Sequence, residues 1–528
     1  MDKIFGRNKQ EHPVPLKAEV KGEVPSWLCG TLLRNGPGMH TIGETSYNHW
    51  FDGLALLHSF TIKNGEVHYR SKYLRSDTYN SNIEANRIVV SEFGTMAYPD
   101  PCKNIFAKAF SYLSHTIPEF TDNCMINIMK CGEDFYATTE TNFIRKIDPQ
   151  TLETLEKVDY SKYVAINLAT SHPHYDVSGN VLNMGTSIVD KGKTKYVVFK
   201  IPSDVPDKEK KENHLKHIEV LCSIPSRSLL NPSYYHSFGV TENYIIFLEQ
   251  PFKLDILKMA TAYIRGVSWA SCISFHEDEK TYIHIIDRRT KEIAVDQVSI
   301  LDAVVVFHHV NAFEEEGHVV FDVISYKDNS LYNMFYLANL NQNFEENSKL
   351  TSTPTLIRFA VPLRFDKDAE VGCDLVRLAS TTATALKEKD DLVYCHPEEL
   401  HQGIELPHVN LDYDGKRYRY IFAAEVRWSP VPTKIIKFDI HTKTSLKWEE
   451  EHCWPAEPVF VPRPNAKEED DGIILSAIVS TDPKKFPFLL ILDAKDFTEL
   501  ARASVDADMN LDLHGLFIPE KEMSSQGQ

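Results

Sequence analysis

The chain has 528 residues, 42% of them hydrophobic and 25% charged. That is the composition of a folded globular protein and excludes disorder on a large scale. The net charge of −18 is the difference between 57 basic and 75 acidic residues. With no run of five Lys or Arg, it speaks against a nucleic-acid partner and against capture by anionic lipid through bulk charge.

In chain order, MDKIFGRNKQEH has no apolar core of signal-peptide type. Lys103–Leu113 is amphipathic and reads as a helix. FIRKIDPQTLETLEKV, around Asp148, reads as strand, Asp, polar turn, strand, and the pattern returns around Asp287, Asp439 and Asp493. An Asp that ends a strand can bond its own turn backbone, so such turns tolerate varied residues. Tyr196–Phe199, Tyr244–Leu248, Val319–Ile324 and Ile473–Val479 are short, β-branched or aromatic runs and read as strands. Asp204–Lys216 is charged and reads as an exposed loop, Pro251–Arg265 as a second amphipathic helix, Lys467–Gly472 as a solvated acidic corner, and residues 521–528 as a disordered polar tail. Hairpins spread over most of the chain predict an all-β fold. They fit a seven-bladed β-propeller at ~70 residues per blade, capped on one face by loops and short helical insertions, with stacked β-sandwiches as the alternative. The helical stripes (Phe106, Phe110, Leu113, Ile256, Leu257, Met259, Ile264) either pack on the propeller or dip into a membrane. Residues 1–520 read as one domain.

Nine Cys, an odd number with no C-x-x-C spacing, fit reduced thiols in a cytosolic protein. No window reaches 18 consecutive apolar residues. Aromatic residues at 11% suit an all-β core or a long apolar ligand cavity. HExxH, Walker and G-x-S-x-G patterns are absent. Among 22 His, four lie beside strand-like residues in apolar surroundings: His172 in LATSHPHYD, His236 in SYYHSFGVTENY, His308 in VVVFHHVNAFE and His514 in LDLHGLF. Singly, each is an ordinary interior residue. Together, they are what a propeller can gather on its axis, where imidazole serves Fe, Cu, Zn or Ni. Glu140, Glu405 and Glu457 lie in apolar or Pro-bounded stretches. They are either surface residues on strands or acceptors for the outer N–H of a metal-bound His.

The segments GTLLRNGPGMH, YNHWFDGLALLHSF, EFGTMAYPDPCKNIF, ATTETNF, LATSHPHYD, YYHSFGVTENY, FHHVNAFE, WPAEPVFVPRP and DLHGLF resemble the carotenoid cleavage oxygenases, in their vertebrate branch. The resemblance spans residues 1–520 and departs at no functional position. It implies a seven-bladed propeller with one non-haem Fe(II) per chain held on its axis by His172, His236, His308 and His514. Glu140, Glu405 and Glu457 would orient three of those rings. His309, the strand neighbour of His308, would face away from the metal. The implied reaction uses O₂ to cut the central 15,15' double bond of beta-carotene and other carotenoids or apocarotenals, giving retinal. Tyr235 (or Tyr234), Tyr326 and Trp454 would stabilise positive charge on the polyene with their aromatic faces. An insoluble substrate implies transient contact with a membrane surface, and Cys102 resembles an acylation site of a related retinoid isomerase. An off-centre 9',10' cleaver would carry the same histidines, whereas a propeller that only binds carotenoid would be marked by loss of one of the four, and none is lost.

Overall fold

The computed structural model describes residues 1–97, 120–206 and 213–523. The helix expected at Lys103–Leu113, its apolar patch and Cys102 lie outside the described residues.

Seven sheets of four or more strands make the seven blades. The middle strands are largely apolar and buried, because both of their faces are covered by neighbouring blades. Gly472–Ser480 is buried at every position, and Tyr244–Glu249 at all but its first. The ring is closed twice. Glu19–Gly22, near the N-terminus, pairs with Glu499–Ser504 as the outer strand of the seventh blade. The C-terminal strand His514–Pro519 pairs with Gly30–Met39 as the inner strand of the first, with Asn35 opposite His514. Gly515 is required there, since a Cβ would fall 1.9 Å from the Leu33 carbonyl oxygen.

The four Asp turns expected from the repeat share one geometry. Each Asp carboxylate accepts the backbone N–H two residues on: Gln150, Arg289, His441 and Lys495, at 2.8–3.0 Å. Each turn then places its fifth residue in the left-handed region, at Leu152, Lys291, Lys443 and Phe497. None of these is glycine, so the bonds of each turn offset a cost of about 1–2 kcal/mol.

Three expectations need correction. Pro251–Arg265 is not one helix. Phe252–Leu254 is a strand paired with Ile273–Phe275, and the helix is Ile256–Arg265. Asp255 separates them, because an N-cap takes extended backbone and its carboxylate accepts from the Lys258 N–H. The acidic corner is an anchor: Glu469 accepts the backbone N–H groups of Arg419 and Tyr420, and Asp470 pairs with Lys437 at 2.7 Å. The polar tail is helical over Glu520–Met523, where Glu520 pairs with Lys63. Within the expected charged loop, His214–His217 forms a 3-10 turn with His214 and Leu215 buried.

Candidate metal centre and its cavity

Each blade brings one group to the axis. His514 opens the closing strand of the first blade. His172 lies between the short strands Leu168–Ala169 and His174–Tyr175 of the third, and His236 precedes Gly239–Val240 of the fourth. His308 sits in Val305–Glu315, the inner strand of the fifth. Glu140 follows Asp134–Thr138 in the second blade, Glu405 lies in Ile404–His408 of the sixth, and Glu457 follows Cys453–Pro455 in the seventh. At His308 the strand carries a bulge, its register stepping from Val306↔Ser325 to His309↔Val323. A bulge re-aims side chains. Phe307 and His308 both reach the cavity, while His309 does not line it. The Ser237 hydroxyl fixes the bulge by donating to the Phe307 carbonyl (2.6 Å) and accepting the His309 N–H (2.8 Å).

One ring nitrogen from each of the four histidines falls within 4.8 Å of the others, and His172 Nε2 lies 3.0 Å from His236 Nε2. The opposite nitrogens are tied back. His236 Nδ1 donates to Glu140 at 2.6 Å, His308 Nδ1 to Glu405 at 2.6 Å and His514 Nδ1 to Glu457 at 2.5 Å. Each of those three rings therefore presents a lone pair at Nε2. His308 Nε2 is buried with no hydrogen-bond partner, an expensive arrangement unless a Lewis acid takes the lone pair. Burial, reinforced by the neighbouring rings of His514, His236 and His308, holds His172 well below the usual histidine range and so neutral. Burial opposes ionisation of Glu457, but His514 and Arg34 outweigh it and hold the carboxyl down at about 2. Imidazoles facing one another, with carboxylates behind three of them, form a site that can hold a metal ion.

The same histidines border the main cavity. On the fourth-blade side its wall includes Leu254, Met259, Trp269 and Ile273; on the sixth- and seventh-blade side it includes Pro430, Val431, Pro455 and Ala456. Tyr234, Tyr235 and Tyr326 line it. The Tyr235 hydroxyl accepts from Thr186, and the Tyr326 hydroxyl donates to Glu405 at 3.1 Å. Trp454 does not line it. Strand alternation between Trp454 and Pro455 turns the indole away, edge-on to Phe344. Sequence reasoning missed Tyr332, which comes from the short helix Ser330–Met334, lines the cavity and donates to the Tyr234 hydroxyl at 2.8 Å; that hydroxyl in turn donates to Glu140 at 2.9 Å. Nothing local marks Tyr332. Arg34, also missed, was visible as a lone charge in the apolar run GTLLRNGP. No helix among the described residues is long and apolar enough to cross a membrane.

The family described as Retinal pigment epithelial membrane protein matches residues 5–519. The chain is 76% identical to mouse beta,beta-carotene 15,15'-dioxygenase over all of this chain and 93% of that protein. It is 71% identical to the chicken protein of the same name over the whole of both. Human mitochondrial carotenoid-cleaving dioxygenase is 42% identical over 97% of this chain and 89% of its own. Among solved structures, a variant of Synechocystis apocarotenoid oxygenase superimposes with a TM-score of 0.75 at 23% identity, covering 98% of both chains.

Proposed function

The chain belongs to the retinal pigment epithelial membrane protein family, and on that premise we propose that it is a ferrous-iron dioxygenase of carotenoids. Its substrates are beta-carotene and other provitamin A carotenoids or apocarotenals, cut at the central 15,15' double bond. Beta-carotene gives two molecules of retinal, and both atoms of O₂ end in the two aldehydes. The observation that carries this reading is full-length identity of 71% or more to proteins named for this reaction, far above the 42% to a carotenoid-cleaving dioxygenase.

In this reading His172, His236, His308 and His514 hold one Fe(II), and Glu140, Glu405 and Glu457 fix three of the rings. Imidazole is a suitable ligand for iron, whereas zinc is redox-inert and would not supply activation of O₂. When bound, the iron supplies the activation of O₂. The protein's own work is positioning: the apolar walls hold the polyene against the metal and exclude water. The faces of Tyr235, Tyr326 and Tyr234 stabilise positive charge on the polyene. Trp454 is withdrawn from that role, because it lies off the cavity.

The deciding experiment is aerobic incubation of the iron-loaded protein with beta-carotene, with product identification and an O₂ balance. Retinal alone supports the reading. Apo-10'-carotenal with ionone would assign an off-centre cleaver, and bound carotene without O₂ uptake a carrier. We place the protein in the cytosol with reversible membrane contact through Ile256–Arg265, where Leu257 and Ile264 are 58% and 62% exposed while Met259 of the same helix lines the cavity. Leu257→Asp with Ile264→Asp should abolish co-sedimentation with neutral liposomes; undiminished binding would remove the helix from that role.

A further inference from the structure

The three carboxylates behind the histidines are not equivalent. Oε1 of Glu140 accepts from both His236 and the Tyr234 hydroxyl. Glu405 accepts His308 and the Leu406 N–H on one oxygen and the Tyr326 hydroxyl on the other. Among the described residues Glu457 alone of the three is paired with Arg or Lys: one oxygen takes His514 Nδ1, and the other takes the Arg34 guanidinium at 3.0 Å. Arg34 is 1% exposed. Its other terminal nitrogen donates to Asp512 at 2.6 Å and to the Leu513 carbonyl at 3.1 Å. Asp512 is held in turn by His58 at 2.8 Å.

One guanidinium therefore grips the two residues that precede His514 in the chain and also the carboxylate that sets the rotation of the His514 ring. The strand that follows those two residues is one of the two that close the propeller, and Arg34 sits on Gly30–Met39, the strand against which it closes. We infer that Arg34 is a positioning residue that couples closure of the first blade to completion of the metal site. Only a planar fork reaches both carboxylates and the carbonyl at once; a lysine ammonium of the same charge is a point donor on a flexible stem.

Coupling is reciprocal. If closing the strand places His514, then binding metal holds the strand closed. The inference rests on the four histidines binding iron, and that premise is tested separately, by titrating the wild-type full-length chain with Fe(II) against a chelator. The inference itself is read from hydrogen exchange. In wild type, Fe(II) should slow exchange of the amides from His514 to Ile518 by about tenfold or more, and more than it slows the outer strands of the fourth blade. Wild-type protein that binds iron with unaltered exchange in this strand overturns the inference without any variant. Arg34→Lys, and the charge-balanced pair Arg34→Gln with Asp512→Asn, should each raise the iron dissociation constant about tenfold, in the range found for groups behind a ligand. Both should also lose most of the metal-dependent protection. Folded variants with wild-type iron affinity and undiminished protection would overturn it as well.

Discussion

Glu405→Gln removes the charge behind His308 while leaving the ring an acceptor for its Nδ1–H. The carboxylate accepts His308 Nδ1 and the Leu406 N–H on one oxygen, each at 2.6 Å, and the Tyr326 hydroxyl on the other. A glutamine can keep its carbonyl oxygen toward His308 and Leu406 and turn its amide toward Tyr326, whose hydroxyl can accept. His308 and Leu406 then keep their acceptor, while the contact with Tyr326 reverses direction, so the negative charge goes together with the acceptor for the Tyr326 O–H. A hydrogen bond to a charged group contributes about 1.5–3 kcal/mol and a neutral one about 0.5–1.5 kcal/mol. The difference, about 1–1.5 kcal/mol, is roughly a tenfold loss of iron affinity. Glu405→Ala is a different perturbation, because it strands three buried donors at about 1–3 kcal/mol each and should lower the melting temperature outright. The assay is Fe(II) titration against a competing chelator, with thermal melting of both apo-proteins. Iron affinity unchanged in Glu405→Gln would refute the view that the carboxylate's charge strengthens His308 as a donor.

Further predictions concern the cavity and the buried charges. Tyr326→Phe keeps the aromatic face and should hold kcat within a few-fold, while Tyr326→Leu should lower kcat up to about thirtyfold, as expected for loss of a desolvated cation–π contact of about 2 kcal/mol; equal kcat in the two variants would contradict the charge-stabilising role. Trp454→Phe should leave kcat and KM unchanged, since the indole is off the cavity and its Nε1 has no hydrogen-bond partner to lose; a tenfold fall in kcat would restore it to the site. His49 is pushed down to about 4 by burial, with its Nε2 against the Tyr332 carbonyl. A histidine held below its unfolded value of about 6.5 gives stability that is present above that pH and lost as the pH falls toward 4, about 2 kcal/mol of it by pH 5. His49→Gln should flatten that fall in denaturant unfolding between pH 7.5 and 5, and parallel curves for the two proteins would be evidence against it.

The blades were legible because the turn chemistry is local. An Asp that ends a strand and bonds its own turn announces itself at Asp148, Asp287, Asp439 and Asp493 whatever surrounds it. The histidines were legible as candidates because each sits in apolar sequence, but their meeting is a property of the ring: His172 and His514 are 342 positions apart, and no window of sequence contains both. Trp454 shows the opposite limit. It shares the short strand Cys453–Pro455 with the cavity-lining Pro455, and strand parity turns it away. Tyr332 was invisible for a related reason, since its importance comes from a hydroxyl contact with Tyr234, 98 residues away. The Pro251–Arg265 misreading was avoidable: Asp255 before Ile256 is a cap signal, and the residues before a cap are not helical.

The arrangement of charge around the axis also bears on what the site holds. Three carboxylates stand directly behind the imidazoles, beside a cavity with largely apolar walls, and among the described residues the one side-chain cation shown pairing with any of them is Arg34. Anions in such surroundings are costly unless something positive answers them. Protonation of all the rings would crowd like charges together, because their ring nitrogens converge on one point. A divalent ion held there by His172, His236, His308 and His514 would supply the positive charge that the carboxylates lack. The three histidine–carboxylate bonds, the unpartnered Nε2 of His308 and the guanidinium at Glu457 are then parts of one electrostatic solution. The groups that a blade-by-blade reading of the chain presents as unrelated are the ones that the ion requires together.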